Sequence, residues 1–507
     1  MTTPTPDEDP VTSAQHKPSM RLATKMQVRG EKFIRRRLEH AIVRRNTEMW
    51  DDPLKFYDRS DHTGYAIAAV IAVICVLLAF MKPQGAADGA QIVADINSNQ
   101  LYVLEKGSAR PFLNLTSARL FIGQNANPKR VKPTEISKLA RMEVTGIPGA
   151  PWDTPVADPS EDSYWSVCDT ASNTRSMSPT VSVSVISDQP EYPPTATLSG
   201  GRSAIASFRG QTFLVDSAGR HAIDLANSAV TAAINLPPAP LPIPLSVAMF
   251  NALFPADPIV VTPIPGAGDP NTIGLPASIA IGTVIANSAT DSKEMFVVLP
   301  DGLAKINNAT ASALRNTNTY GHIDPPIVAT DKISAIPARE YPSALQTVSI
   351  VDRGTDPVLC WNWSKTGAAS TTPQITLTAT NQIPLSADKR NTKGTQITTG
   401  ITVYPSGGGK NGAESAGRFV RVINPIIAGE SHFYIDRKGV RYGVPDDKDA
   451  EHMGLCKSVS DRAVCNPELA PWPALVLLAG GPDLTEGAAA LAHDAVPNDP
   501  NPRGVKR

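Results

Sequence analysis

Most of the chain alternates between short apolar runs and polar or proline-rich breaks, and one run near the N-terminus stands apart. Residues 64–81 are eighteen positions without a charge, bounded by Asp61-His62 before and Lys82-Pro83 after. At the α-helical rise that length spans about 27 Å, close to the hydrocarbon thickness of a bilayer. The run therefore predicts a transmembrane helix over 64–81. A buried core helix can be apolar on all sides, but this length without a charge is unusual for one. A cleaved secretory signal would begin near residue 1, whereas this run follows a long segment that includes acidic residues. No second stretch qualifies, since 470–481 is short and broken by Pro471 and Pro473.

Ahead of the span, 31–48 reads as a helix, with Ile34, Leu38, Ala41 and Ile42 near one face and Arg45 projecting close to it. Asp51-Asp52-Pro53 is expected to end that helix. Residues 1–20, rich in Thr, Pro, Asp and Ser, read as a disordered tail, and 21–63 as a basic helical segment.

After the span, four segments share an aromatic-aliphatic strand, a turn with Gly and a second short strand: 101–107, 213–219, 296–302 and 433–439. Stretches rich in Asn, Asp and small residues follow the first three, at 114–118, 224–229 and 307–311, and are able to cap a short helix. The fourth shows only its hairpin. The spacing is too irregular for a solenoid, and four unrelated hairpins are the plainer alternative. Further strands are expected at 165–168, 181–186, 347–351, 358–361, 375–378 and 419–423. The fold class is thus mostly β with small α/β repeat modules: a cytosolic basic helix, one transmembrane helix, and an exported central β domain over 82–481. The modules are expected near 95–150, 208–260, 293–340 and 430–455. The proline-rich stretch 236–244 reads as an extended connector, and 482–507 as a poorly ordered tail.

Charge gives the orientation. Lys17 to Arg45 holds ten Lys or Arg against Glu31 and Glu39, with Arg35, Arg36, Arg37, Arg44 and Arg45 beside the span. Lys82 is the only cation on the other side before Lys106. Residues 1 to about 60 are therefore expected in the cytosol, and 83–507 outside. The basic helix either lies on anionic headgroups or docks on a cytosolic partner. Lys+Arg is 47 against 48 Asp+Glu, a net charge of −1, which argues against nucleic-acid binding through overall charge. With 46 Pro and 35 Gly, short strands and turns fit better than long bundles.

Of five Cys, Cys75 lies in the span, where a small apolar filler is expected. Cys168, Cys360, Cys456 and Cys465 form an even exported set, which allows three disulfide pairings. Zinc is the rival reading, without a Cys-x-x-Cys and with only His452 nearby. A phosphate loop fails at 404–411, where Tyr404 and Asn411 occupy the positions that need Gly and Ser or Thr around Gly409-Lys410. Gly407, Gly409 and Gly412 match a dinucleotide fingerprint, but too few residues follow for a crossover helix. No nucleophile elbow and no His-Glu-x-x-His occurs. Asp446, Asp447 and Asp449 lack the Gly and distal Glu of an EF-hand and read as a solvated turn. Catalytic, cofactor and metal residues are accordingly none.

The basic run 36–45, then Asp52-Pro53-Leu54, then one span closing in Lys82-Pro83-Gln84-Gly85, resembles the EccB family, core components of the type VII (ESX) secretion systems of mycobacteria and relatives. The exported motifs Asn-Leu-Thr-Ser-Ala-Arg (114–119), Gly-Ile-Pro-Gly-Ala-Pro (146–151) and Trp-Ser-Val-Cys-Asp (165–169) agree, and the likeness runs from about 21 to about 485. The resemblance implies a homo-oligomeric inner-membrane channel subunit that scaffolds export of small helical proteins. Its implied partners are EccC, EccD, EccE and the mycosin protease, with no nucleic acid. It implies an exported β core ringed by four modules, and it pairs Cys168 with Cys360 and Cys456 with Cys465. Members of the family are often labelled ATPases, so ATP is the cofactor under that alternative and none is expected otherwise. Binding to the cell wall is a third reading.

Overall fold

The structure is a computed structural model that describes residues 24–46, 48, 53–81, 87–156, 162–172, 180–288, 294–367, 372–386, 389, 394–398, 400–404, 417–424, 429–459 and 462–493. The expected tail 1–20 lies outside the described residues. The chain divides into two compact units, 1–86 and 87–507.

In the first unit Thr24 starts helix α1, Lys25–Arg44. Its hydroxyl accepts the Gln27 N–H, and the Gln27 side chain accepts the Thr24 N–H, a reciprocal capping box. The helix ends at Arg44, with Arg45 in the left-handed region, φ 53°. Helix α2 spans Pro53–Met81 and contains the whole uncharged run. Pro53 does not stop the basic helix as expected. It opens the next one, where its missing N–H is not needed and its φ is preset.

In the second unit four sheets repeat one five-stranded topology, to which one of them adds a sixth strand. Three strands form an antiparallel meander. A helix then crosses to a fourth strand parallel to the first, and a second helix leads to a fifth strand parallel to the third. Module 1 has strands Ile92–Asp95, Leu101–Glu105, Ser108–Phe112, Lys129–Val131 and Ala140–Arg141, with helices α3 (Leu115–Ile122) and α4 (Pro133–Ile136). Module 2 has Arg202–Phe208, Gln211–Asp216, Gly219–Ile223, Ile243–Pro244 and Pro255–Ile259, with α5 (Ser228–Ala233) and α6 (Val247–Ala252). Module 3 has Val284–Asn287, Met295–Leu299, Gly302–Ile306, Ile327–Val328 and Ala338–Arg339, with α7 (Asn308–Thr317) and α8 (Thr330–Ala335). Module 4 has Arg418–Asn424, Gly429–Ile435, Val440–Gly443, Glu468–Leu469 and Ala479–Gly480, with α9 (Asp447–His452) and α10 (Trp472–Leu475).

The first helix of every module has an Asn or Asp cap. Asn114, Asn227, Asn307 and Asp446 accept the N–H groups of Ser117, Val230, Thr310 and Lys448 at 2.8, 3.3, 2.8 and 2.9 Å. The fourth module therefore does carry a helix. The acidic stretch read as a solvated turn is its N-terminus, where carboxylates suit the unpaired N–H groups.

The central sheet takes its strands in the order Gln374–Thr380, Val358–Lys365, Ser163–Ala171, Val181–Ile186, Ile401–Tyr404, Thr395–Thr398. Trp165, Val167 and Asp169 stand opposite Trp363, Trp361 and Leu359 and share one face with them. Modules 2 and 4 both pack on that face, through Phe213, Met249 and Leu253 of one and Val420, Ala474 and Leu475 of the other. The opposite face buries Cys168, Ile186, Val358, Cys360 and Leu385. Module 3 joins module 2 through Ala309 and Ala313 of α7 against Val230 and Ala233 of α5. Module 1 joins module 4 through Leu120, in one cluster with Phe419, Tyr434 and Met453. The buried clusters thus connect module 3, module 2, the central sheet, module 4 and module 1 in that order.

Two other expectations change. Residues 419–423 belong to module 4 rather than to the central sheet, and Ser349–Ile350 adds to the first strand of module 2. The segment from 482 does not read as a tail up to 493. Thr485 caps helix α11, Glu486–Ala489, Leu484 and Ala489 are buried against module 4, and His493 Nε2 donates to the Gly146 carbonyl at 2.6 Å. Apolar burial at those two positions outweighs the loop-like composition around them.

Candidate assembly surfaces

The five arginines singled out in the sequence all lie on or beside α1, which buries no residue. Arg35 Nε is 3.6 Å from Glu39 Oε1, an exposed pair one turn along. Ile34, Leu38 and Ile42 are 60, 57 and 76 % exposed, so the helix presents cations and an uncovered apolar stripe together. On α2 the side chains from His62 to Leu78 are exposed, including Ile67, Val70, Ile74 and Leu77. Among the described residues no helix is long and apolar enough to cross a membrane.

Cys168 is bonded to Cys360, directly opposite it on the neighbouring strand, with Cα atoms 4.1 Å apart. Cys456 is bonded to Cys465 across the small hairpin Lys457–Val459 and Arg462–Val464, inserted in module 4. Cys75 is free and exposed on α2.

Buried polar contacts tie elements together within module 2 and tie modules 2 and 4 to the central sheet. Asp169, on the central sheet, accepts the Ser246 N–H at 2.6 Å and the Ser246 hydroxyl at 2.7 Å at the start of α6. Burial pushes its carboxyl up to about 6, against the pull of those two hydrogen bonds. In module 2, His221 contacts the Asp257 carbonyl at 2.6 Å and Asp216 Oδ1 at 3.1 Å, so both ring nitrogens are engaged. The bond to Asp216 holds the His221 imidazole above its ordinary value despite desolvation. Burial is the largest single influence on Asp216 and raises it, but the hydrogen bonds from His221, the Ala218 N–H and the Gly219 N–H, with the His221 charge, together outweigh it and the net shift is downward. Arg418 fixes module 4 to the central sheet: it pairs with Glu468, donates to the Ser187 carbonyl at 2.9 Å, and lies 5.0 Å from the Trp165 ring.

Two features were not foreseen in the sequence. An apolar groove of about 500 Å³ runs between the second helices of modules 2 and 4, lined by Val183, Ile401, Val247, Ala248, Trp472 and Val476. Trp472 was visible only as a flank of broken hydrophobicity, and nothing local told that α6 would lie across from it. At the joint of modules 1 and 4, Asp449, His452 and Glu486 bring one potential ligand atom each within 4.8 Å of one another. Burial raises the Asp449 carboxyl. The i, i+3 spacing of Asp449 and His452 was a readable signal once α9 is a helix; Glu486 was not. The glycine-rich stretch with Gly407, Gly409, Lys410 and Gly412 lies outside the described residues, after the strand that ends at Tyr404.

The family model described as "Type VII secretion system ESX-1, transport TM domain B" matches residues 20–498. The chain belongs to this family, EccB. The protein named ESX-1 secretion system ATPase EccB1 of Mycobacterium tuberculosis is 42 % identical to it over 490 residues, covering 96 % of this chain and 98 % of that one. The ESX-3 secretion system ATPase EccB3 of the same species is 33 % identical over 509 residues, covering 94 and 91 %. A chain of the intact ESX-5 inner membrane complex superposes with a TM-score of 0.72 at 29 % identity, covering 96 % of this chain and 99 % of its own. A chain of the EccB3 dimer from the ESX-3 core complex gives 0.68 at 28 % identity, covering 79 and 100 %. The EccB relatives carry "ATPase" in their names; these solved structures are components of membrane complexes.

Proposed function

We propose that this EccB chain is a structural core subunit of an ESX inner-membrane complex, anchoring and scaffolding the export channel without turning over a substrate. The near end-to-end correspondence with a chain of an intact ESX-5 inner membrane complex carries this reading. Helix α2, with its uncharged run 64–81, is the single membrane anchor. The basic flank places residues 1 to about 60 in the cytosol and 83–507 outside. The existence of an EccB3 dimer supports self-association of this chain within the complex. EccC, EccD, EccE and the mycosin protease are its partners in this reading, and no cofactor is required. The names of the relatives favour a second reading, an exported ATP hydrolase.

Paired variants separate the two. Arg36→Glu with Arg37→Glu removes headgroup attraction worth roughly 1 kcal/mol per charge, together with any acidic partner contact. This pair should lower both complex recovery and secretion at normal protein level. Lys410→Ala should leave both unchanged, because Tyr404 and Asn411 already break the phosphate-loop pattern. Loss of secretion from Lys410→Ala, with the arginine reversal silent, would replace the scaffold reading by the hydrolase.

A further inference from the structure

The joint between modules 1 and 4 holds chemistry that a scaffold role leaves unused. We propose that Asp449, His452 and Glu486 bind a divalent transition-metal ion of the zinc class, which clips α9 to α11. Asp449 and His452 are three residues apart on α9 and so share a face. Glu486 is the first residue of α11, and its N–H donates to Asp449 Oδ1 at 3.1 Å, which sets the third ligand beside the first.

His452 supplies an independent observation. It is only 9 % exposed, and its Nδ1 is buried with no hydrogen-bond partner among the described residues. Buried polar atoms are nearly always partnered, and an imidazole with an unpaired nitrogen that offers a ring nitrogen within 4.8 Å of two carboxylate oxygens fits a metal ion. The ring is held edge-on over Gly123 of module 1, where a Cβ would stand 3.4 Å from Cε1. A bulkier residue there would press on the ring.

The donor set selects the metal. One imidazole with two carboxylates suits zinc and its neighbours, whereas calcium and magnesium favour all-oxygen shells. Bonds of about 2.0–2.2 Å place tetrahedral ligand atoms about 3.4 Å apart. The ligand atoms now lie within 4.8 Å of one another, so closing on an ion needs side-chain movement, and Glu486 is exposed and able to move. Its present partner is Lys448 Nζ at 3.4 Å, a surface contact easily exchanged for a metal bond. A fourth position is left for water. Because α11 and α9 share a buried cluster with Leu120 of module 1, the ion would fasten the last described segment across the joint between the first and last modules.

The test uses the full chain in detergent, without a histidine tag, stripped with EDTA and titrated with Co²⁺ as an optical probe. The proposal expects one equivalent of Co²⁺ to develop visible ligand-field bands and one equivalent of Zn²⁺ to remove them. Glu486→Gln, at an exposed position, should weaken Co²⁺ at least tenfold while melting in EDTA stays unchanged; His452→Gln should abolish the bands. Glu451→Gln, an acidic neighbour outside the cluster, should bind as the parent does. Absence of bands in the parent overturns the site, and so does equal weakening by Glu451→Gln and Glu486→Gln, the mark of diffuse binding to acidic surface.

Discussion

Replacing Glu468 by Gln tests how the fourth module is fixed to the central sheet. Arg418 Nε and Nη2 both reach Glu468 Oε2, at 2.8 and 2.5 Å, and both side chains are 9 % exposed. The same guanidinium donates to the Ser187 carbonyl at 2.9 Å and to the Ser163 hydroxyl at 3.3 Å, and sits over Trp165. Gln keeps the shape and one acceptor but leaves the cation buried without its counter-charge. Breaking such a pair costs about 3–5 kcal/mol, which is about two to nearly four powers of ten in a local opening equilibrium. Arg418→Met combined with Glu468→Leu removes both members of the pair and should cost less than the sum of the single changes, because neither is left buried without the other. The chain has several packed modules, so one global unfolding free energy is ill-defined. Amide hydrogen exchange in Arg418–Asn424 reads the opening of this strand directly. Faster exchange there in Glu468→Gln, with a double variant below the sum of the singles, is the expected result. Less than a threefold change for Glu468→Gln, or a double variant worse than the sum of the singles, refutes the argument.

Three further perturbations follow from named contacts. His221 has its folded value raised above about 6.5, so its contribution to module 2 is full below that pH and is lost as pH rises through the folded value; exchange in Gly219–Ile223 should quicken over that window, and His221→Asn should flatten the profile. Asp169, raised to about 6, contributes stability that is present below about 3.9 and lost as pH rises through about 6. Asp169→Ala should therefore remove that pH dependence from the melting curve and, by stranding two donors of Ser246, destabilise by roughly 2–4 kcal/mol. Gly219 has φ 133° and a Cβ there would run into the Phe254 carbonyl, so Gly219→Ala should lower the melting temperature clearly, while Gly210→Ala, with open space around it, should cost only the backbone strain of its positive φ.

The hairpins were legible because their pattern is local. The strand pairs around 101–112, 213–223, 296–306 and 433–443 combine alternating apolar residues with a glycine turn, and Asn114, Asn227 and Asn307 mark the helices after three of them. The second half of each module was not legible. Ala140–Arg141, Ala338–Arg339 and Ala479–Gly480 are two-residue strands, and α4 and α10 are single turns. Neither length carries a period, and their pairing is decided by the parallel edge that the meander offers. The run 419–423 alternates like a core strand, yet alternation does not say which sheet it joins. The fourth helix was hidden because Asp446-Asp447-Lys448-Asp449 is equally good turn composition and N-terminal helix composition. Leu484 stands alone between Asp483 and Thr485, and Ala489 lies in a short alanine run; the burial of both depends on Leu120 and Phe419, distant in sequence. The Arg418–Glu468 pair and the Asp449–His452–Glu486 cluster share that cause: their partners lie on different elements.

The central claim is that this EccB chain works as a multi-copy structural subunit of a membrane secretion complex. Native mass spectrometry of the gently solubilised membrane assembly, isolated through a tag on this chain, tests it most directly. The account predicts a large assembly containing several copies of the chain together with other ESX components, and ATP turnover that is unchanged by Lys410→Ala. Recovery of the chain alone as a monomer, with an isolated ATP hydrolase activity that Lys410→Ala removes, would contradict it.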